Sequence, residues 1–360
     1  MRIAIIQSGL SAGGAEKIVN LLAHHRAILG DEVHVLVFGG TRGSSYFEYA
    51  DNVSILSMRG SAADSGNPAL RFGRRVAWLR TQIRSIRPDL IISFLTKTNV
   101  MTLLACTGLG VPVVISERNN PYRQDGAAFW RSAILLLQPR SALLVMQTET
   151  ARRELGASLL AKSVVIPNPA TVPSGVARRK EFKGNVVAVG RLTPQKGFDL
   201  LLAAFALVTP LVQSTNLTIF GEGPERSNLM LQAKELGISE RVSFPGTTAQ
   251  PGDWLNEADI FVLSSRYEGF PNVLVEAVSA GLPCIAFSCP WGPTDILTNE
   301  RNGLLVAPEN VPKLATAIVK LLKDEKLRDA LAEATLEIAQ RYDLTKVLRQ
   351  WDEAIASARR

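Results

Sequence analysis

The sequence predicts two doubly wound α/β domains, each a parallel sheet covered by helices on both faces. Three observations carry this. The chain of 360 residues exceeds what one hydrophobic core usually holds. Short, fully apolar runs rich in Val and Ile alternate with helical patterns, as strands buried on both faces do. That rhythm breaks at a segment rich in Pro, Gly and charge, and then starts again.

In order, the first half offers the strands RIAIIQS, HVLVF, VSILS, LIISF, VPVVIS, ALLVMQ and SVVIP. The break is PNPATVPSGVARRKEFKGN, residues 167–185. After it come NVVAVGR, LTIFGEG, VSFPG, IFVLSS, PCIAFS and NGLLVAP, again with helical patterns between them. Three further helical patterns follow near Val311, Lys326 and Leu344 without an intervening strand. The expected boundaries are 1–168, a linker at 169–184, and 185–343, with a last helix at about 344–360 packing back on the first domain.

Composition supports this reading: 46% hydrophobic against 20% charged residues fills two cores and excludes disorder. Cys106, Cys284 and Cys289 are odd in number and form no CxxC pair, so a disulfide framework and a zinc site are not expected. The opening RIAII is too short for a signal peptide. The uncharged stretch 98–116 contains Asn99, Gly108, Gly110 and Pro112, and reads as helix, turn and strand rather than a membrane span. A reducing cytoplasmic setting is expected. The net charge of +7 is uneven: residues 1–170 hold 19 Lys and Arg against 11 Asp and Glu, and residues 171–360 hold 21 against 22. The first half is therefore expected to meet something anionic.

Several stretches carry candidate chemistry. Gly9, Gly13 and Gly14 follow the first strand, and a helix beginning near Ala15 aims its positive end there, suited to a diphosphate. Their spacing is not GxGxxG and no acid ends the next strand, which weakens a nicotinamide cofactor. In the second half, Arg191 and Lys196 follow the first strand and could clamp a diphosphate; solvated surface cations are the plainer alternative. The stretch RYEGFPNVLVEA puts Glu268 in a turn and Glu276 inside the following helix, with backbone amides near Phe270, Pro271 and Asn272 facing the same space. The lesser alternative for Glu276 is a helix-face acid that caps or pairs locally.

Taken together the motifs resemble the retaining nucleotide-sugar glycosyltransferases of the GT-B architecture, family 4 or group 1. The resemblance rests on GGAE, GRLTPQKG, FGEGPER, NEADIFVLSS, EGFPNVLVEA, SAGLPCIAF and GPTDIL followed by NGLLV, and covers nearly the whole chain. It implies two Rossmann-like domains facing across a cleft. Arg191 and Lys196 would contact the donor diphosphate, Glu268 would hold hydroxyls of the donor sugar, and Glu276 would bond the ribose. Gly13 and Gly14 would let the first loop reach the donor, while amides at Phe270, Pro271 and Asn272 would help seat sugar and phosphate. Lys196→Ala is accordingly expected to lose catalysis more than folding. With no DxD motif, the resemblance implies no metal and no cofactor beyond the nucleotide-sugar co-substrate. Many relatives carry His where this chain reads ERNN, so Glu117, Arg118 and Asn119 are placed near acceptor or donor sugar.

Residues 71–87 hold six arginines, among them Arg71, Arg74, Arg75, Arg80 and Arg84, interleaved with Phe72, Val76, Trp78, Leu79, Ile83 and Ile86. This pattern suits an anionic membrane surface or an acceptor with a diphosphate head group; a helix packed on the first sheet with a basic outer face is the alternative. No nucleic-acid-binding module is recognisable. The expectation is a cytoplasmic enzyme, peripheral on the inner membrane, that transfers a hexose or N-acetylhexosamine from a nucleotide-sugar, UDP-linked by preference, to a polyprenyl-diphosphate-linked saccharide. A UDP-N-acetylhexosamine epimerase and a non-catalytic scaffold of polysaccharide assembly are the rivals.

Overall fold

The computed structural model describes every residue except 12, 59–66, 119–126, 171, 174–175, 177–180, 249, 251 and 360. It divides into two compact units, Met1–Asn168 with Thr345–Arg360, and Pro169–Leu344.

The first unit holds the strands β1 (Arg2–Gln7), β2 (Glu32–Val37), β3 (Val53–Ser57), β4 (Leu90–Phe94), β5 (Val113–Ser116), β6 (Leu143–Met146) and β7 (Ser163–Val165). They form one sheet in the order β3-β2-β1-β4-β5-β6-β7, parallel throughout. Ile3, Ile5 and Ile6 of β1 are buried to zero exposure because helices cover both faces. Those helices are α1 (Gly14–Ile28), α2 (Pro68–Ile86), α3 (Thr96–Cys106), α4 (Ala127–Leu137), α5 (Glu149–Arg153) and α6 (Ala157–Leu160). Helix α2 starts where Asn67 accepts from the Leu70 amide and Pro68 takes the first helical position. Strand order reverses between β1 and β4, which makes the carboxyl ends of these two strands the switch point of the sheet.

The second unit repeats the plan with β8 (Asn185–Val189), β9 (Asn216–Phe220), β10 (Val242–Gly246), β11 (Ile260–Leu263), β12 (Cys284–Phe287) and β13 (Leu304–Val306), in the order β10-β9-β8-β11-β12-β13. Its helices are α7 (Phe198–Val208), α8 (Arg226–Glu235), α9 (Asn272–Ser279), α10 (Pro293–Ile296), α11 (Val311–Lys323) and α12 (Glu325–Ala339). Asn310 caps α11 and Asp324 caps α12 through their side chains. Here the switch point lies between β8 and β11.

Helix α13 (Leu344–Ala358) belongs to the first unit from Thr345 onward, and buries Val347, Trp351 and Ile355 in its core. One expectation is corrected. The segment read as a linker contributes Ala170, Val172 and Val176 to an apolar cluster of the second unit, and the Ala170 amide donates to Tyr342 O at 2.8 Å. Too few apolar residues stand there to show a period, although each finds a partner.

Candidate functional site

In the second unit the loops after β8 and β11 meet at the switch point. Gly197 lies between them with φ +61°, and a Cβ there would stand 2.1 Å from Ser264 O, so any side chain would push the loops apart. Hydrogen bonds close the contact. Ser264 Oγ donates to Lys196 O (2.9 Å), the Arg266 amide to Gln195 O (2.8 Å), and Gln195 Nε2 to Tyr267 O (3.0 Å). The Arg266 guanidinium forks onto Asp199 at 2.8 and 2.7 Å, which holds the Asp199 carboxyl below its ordinary value and raises Arg266. Gly221, φ +134°, brings the loop after β9 against Gly190, whose carbonyl oxygen lies 1.9 Å from where a Cβ would be.

This frame sets the key pair. Lys196 Nζ lies 2.6 Å from Glu268 Oε1, with side-chain exposures of 15% and 4%, and Ser265 Oγ donates to the same oxygen at 2.6 Å. Lys196 and Glu268 are thus one unit, a salt bridge that is mostly out of water. An ammonium carries three donors, and one is committed here. Cys289 is buried beside the pair; burial pushes its thiol up to about 12, and the Glu268 charge adds to the effect. Glu276 is a buried residue on α9, which begins at Asn272 behind Phe270 and Pro271, and Arg191 is exposed after β8.

Two expectations change. Arg191 and Lys196 are not equivalent fixed cations, since a carboxylate anchors Lys196 while Arg191 faces solvent. Nor is Lys196 an exposed cation whose loss spares the fold, because its removal strands a buried carboxylate. Ser265, Gln195, Asp199 and Cys289 were missed. The partners of Gln195 and Asp199 lie about 70 residues away in the chain, so no local pattern could find them, whereas Ser265 stands only three residues before Glu268.

In the first unit the loop after β1 differs from expectation. Gly13 is the N-cap of α1, and the place its Cβ would take is 2.2 Å from Glu16 Oε2. Ser11 Oγ donates to Glu16 Oε1 at 3.2 Å. The positive end of α1 is therefore met by the chain's own carboxylate, and a diphosphate placed there would face like charge. Gly13 makes room for Glu16, and Gly14 begins the helix.

Glu117 and Arg118 follow β5 and are buried, while Asn119 lies outside the described residues. The Arg118 guanidinium stands 5.3 Å from the Phe94 ring and 5.5 Å from the Trp351 ring, donates Nε to Ser116 Oγ at 2.8 Å, and donates to Asn168 Oδ1. Burial lowers its pKa to about 9. These contacts seat Arg118 within the packing of the first unit. Glu117 accepts from Thr96 Oγ1 (2.6 Å) and Asn99 Nδ2 (2.5 Å), yet burial outweighs both bonds and pushes its carboxyl up to about 7.

A pH dependence follows for Glu117. Its folded value lies above the ordinary 4.5, so the folded state keeps a proton that the unfolded chain releases. That stabilisation is complete below about 4.5 and is lost as pH rises through about 7, a change on the order of 3 kcal/mol. Glu117→Gln keeps the shape and cannot titrate, so urea denaturation of this variant at about pH 5 and about pH 8 is expected to show a flatter profile than the parent. An unchanged profile would assign the proton to another group.

The arginine-rich helix is also corrected. Leu79 and Ile83 of α2 are buried, Trp78 packs on Phe38 with centroids 6.1 Å apart, and Phe72 packs on Trp130 at 5.8 Å. Its apolar stripe is thus committed to the first unit. Arg80 donates to Ala105 O (2.7 Å) and Thr107 O (2.8 Å) at the end of α3, and Arg75 stands over the Phe38 ring. Arg74 and Arg84 are exposed, and Arg71 is half-buried.

Two all-parallel sheets, each with loops gathered at a switch point, define a protein of two Rossmann-like domains. Residues 176–337 match the family model for glycosyl transferases group 1, and residues 13–169 match that for a glycosyl transferase 4-like domain. The chain belongs to the group 1 glycosyltransferases and has the GT-B fold. It is 30% identical over 280 residues to an exopolysaccharide phosphotransferase of Streptomyces coelicolor, covering 76% of this chain but only 29% of that protein. It is 27% identical over 366 residues to a GalNAc-alpha-(1->4)-GalNAc-alpha-(1->3)-diNAcBac-PP-undecaprenol alpha-1,4-N-acetyl-D-galactosaminyltransferase of Campylobacter jejuni, covering 100% of this chain and 99% of the other. Among solved structures, Anabaena HepE in complex with UDP superposes with a TM-score of 0.78 at 22% identity, over 99% of this chain and 100% of that one.

Proposed function

We propose that the protein is a retaining glycosyltransferase that moves a hexose or N-acetylhexosamine from a UDP-sugar to a polyprenyl-diphosphate-linked saccharide. The observation that carries the reading is the buried Lys196–Glu268 pair at the switch point of the second sheet, the place where open α/β sheets take their ligands. Lys196, with Arg191, neutralises the leaving diphosphate without a metal. The Glu268 carboxylate, oriented by Lys196 and Ser265, accepts from donor-sugar hydroxyls, and Glu276 accepts from the ribose. The group 1 family, the UDP-bound neighbour and the undecaprenol-linked saccharide in the relative's name support the choice of donor and acceptor. The enzyme acts at the cytoplasmic face of the membrane.

The test is calorimetry of the purified protein with UDP, GDP, ADP and NAD in the presence of a chelator. UDP alone is expected to bind, and Glu276→Ala to weaken it by about 1.5 to 3 kcal/mol, the range for a hydrogen bond to a charged group. GDP or ADP binding in place of UDP would change the donor. Unaltered UDP affinity in the variant would return Glu276 to the helix face. No nucleotide bound by a folded protein would sink the transferase reading.

A further inference from the structure

Lys196 reaches Glu268 from a short strap, residues 194–199, that leads from the turn after β8 into the first turn of α7. A lysine stem is flexible, so its ammonium is placed only as well as the backbone beneath it. Phe198 anchors the far end of the strap in the core, but Pro194, Gln195 and Lys196 are not buried. Polar contacts must therefore fix the near end, and most of them converge on Arg266, two residues before Glu268. Its amide donates to Gln195 O at 2.8 Å, and its guanidinium to Pro194 O at 2.7 Å and to the two Asp199 oxygens at 2.8 and 2.7 Å. Nε donates to Glu309 Oε2 at 3.2 Å in the loop after β13, where the Glu309 backbone is left-handed at φ +59°. One planar group thus ties three loops. Its side chain keeps 27% exposure and that of Asp199 43%. An ion pair this wet adds little stability, whereas a bidentate fork fixes distance and angle. Geometry is what Arg266 supplies.

We propose that Arg266 is a positioning residue for the transfer reaction: by clamping the strap beside its own chain it sets the contact of Lys196 with Glu268, and so where the ammonium meets the leaving diphosphate. The inference rests on the transferase reading for the reaction and on the contacts alone for the clamp. Lysine cannot substitute, because a single ammonium does not span Pro194 O, both Asp199 oxygens and Glu309 together.

The experiment compares the full chain with Arg266→Met, Arg266→Lys and Asp199→Asn. Acylation by acetic anhydride, read at Lys196 by mass spectrometry, reports the clamp without any substrate. Lys196 is expected to react several-fold faster in Arg266→Met and Asp199→Asn, with the other lysines unchanged; a general loss of stability would instead speed them all. Turnover is read from consumption of UDP-glucose or UDP-N-acetylglucosamine with an undecaprenyl-diphosphate-linked saccharide. There kcat is expected to fall about 10- to 100-fold while KM moves less than about threefold. Arg266→Lys should recover little, and Arg266→Met combined with Asp199→Asn should be no worse than either alone, as befits one shared contact. Parent-like labelling in Arg266→Met, a kcat that only follows the folded fraction, or full rescue by lysine would each overturn the proposal. The two readings fail separately: turnover by the parent with unaltered labelling in the variants defeats the clamp alone, and faster labelling with no turnover by the parent defeats the transferase reading and keeps the clamp.

Discussion

Lys196→Ala is expected to lower turnover by about 100- to 1000-fold, the scale of removing one preorganised group from a developing charge, and to cost about 3 kcal/mol of stability at the same time. Both effects come from one contact. The ammonium pairs with Glu268 at 2.6 Å, and its loss leaves a carboxylate that is 4% exposed with the Ser265 hydroxyl as its one remaining side-chain partner among the described residues. A buried charge without its counter-charge is costly, even where the intact pair contributes little net stability. The double variant Lys196→Met with Glu268→Gln removes both charges and is expected to recover most of the stability and none of the turnover. Urea unfolding together with consumption of UDP-sugar checks the pattern. Full activity in the single variant would make the pair purely structural, and undiminished stability would show that Glu268 is solvated once Lys196 is gone.

Arg118→Ala is expected to cost about 3 kcal/mol, in the range for emptying a large buried side chain from a packed core. The guanidinium stands over Phe94 on β4 and Trp351 on α13, whose rings also pack on each other with centroids 5.7 Å apart, so its removal opens a gap beside the contact that joins the C-terminal helix to the sheet. Arg118→Met should behave differently. The cation is held at a cost, as its pKa of about 9 records, and among the described residues no carboxylate pairs with it. A flexible apolar chain fills the same gap without that desolvation and is expected to restore most of the loss. Guanidinium denaturation of both variants decides: equal losses would mean that the hydrogen bonds to Ser116 and Asn168, rather than packing, hold the helix.

Much of the architecture was legible in the sequence. Runs such as RIAIIQS and IFVLSS mark strands because a parallel strand buried on both faces has no polar alternation to blur it. The cations Arg191 and Lys196 and the carboxylates of EGFPNVLVEA were also visible as candidates. What could not be read was which groups face each other. Lys196 and Glu268 stand 72 positions apart and Arg118 and Trp351 more than 200, so their contacts exist only after the sheets have formed.

The same limit applies at α2 and at Gly13. The arginine stripe of α2 has the same sequence pattern whether its apolar residues meet a membrane or the protein's own core, and only Phe38 after β2 and Trp130 on α4 decide for the core. At Gly13, a glycine before a helix reads as an open anion seat until Glu16 is seen to occupy it. The sequence by itself determined the two parallel sheets, their strands and the family, since each follows from local patterns of burial and turn chemistry. Tertiary structure alone decided which charges are paired, which are buried and which face water, because pairing and desolvation depend on distances between residues far apart in the chain.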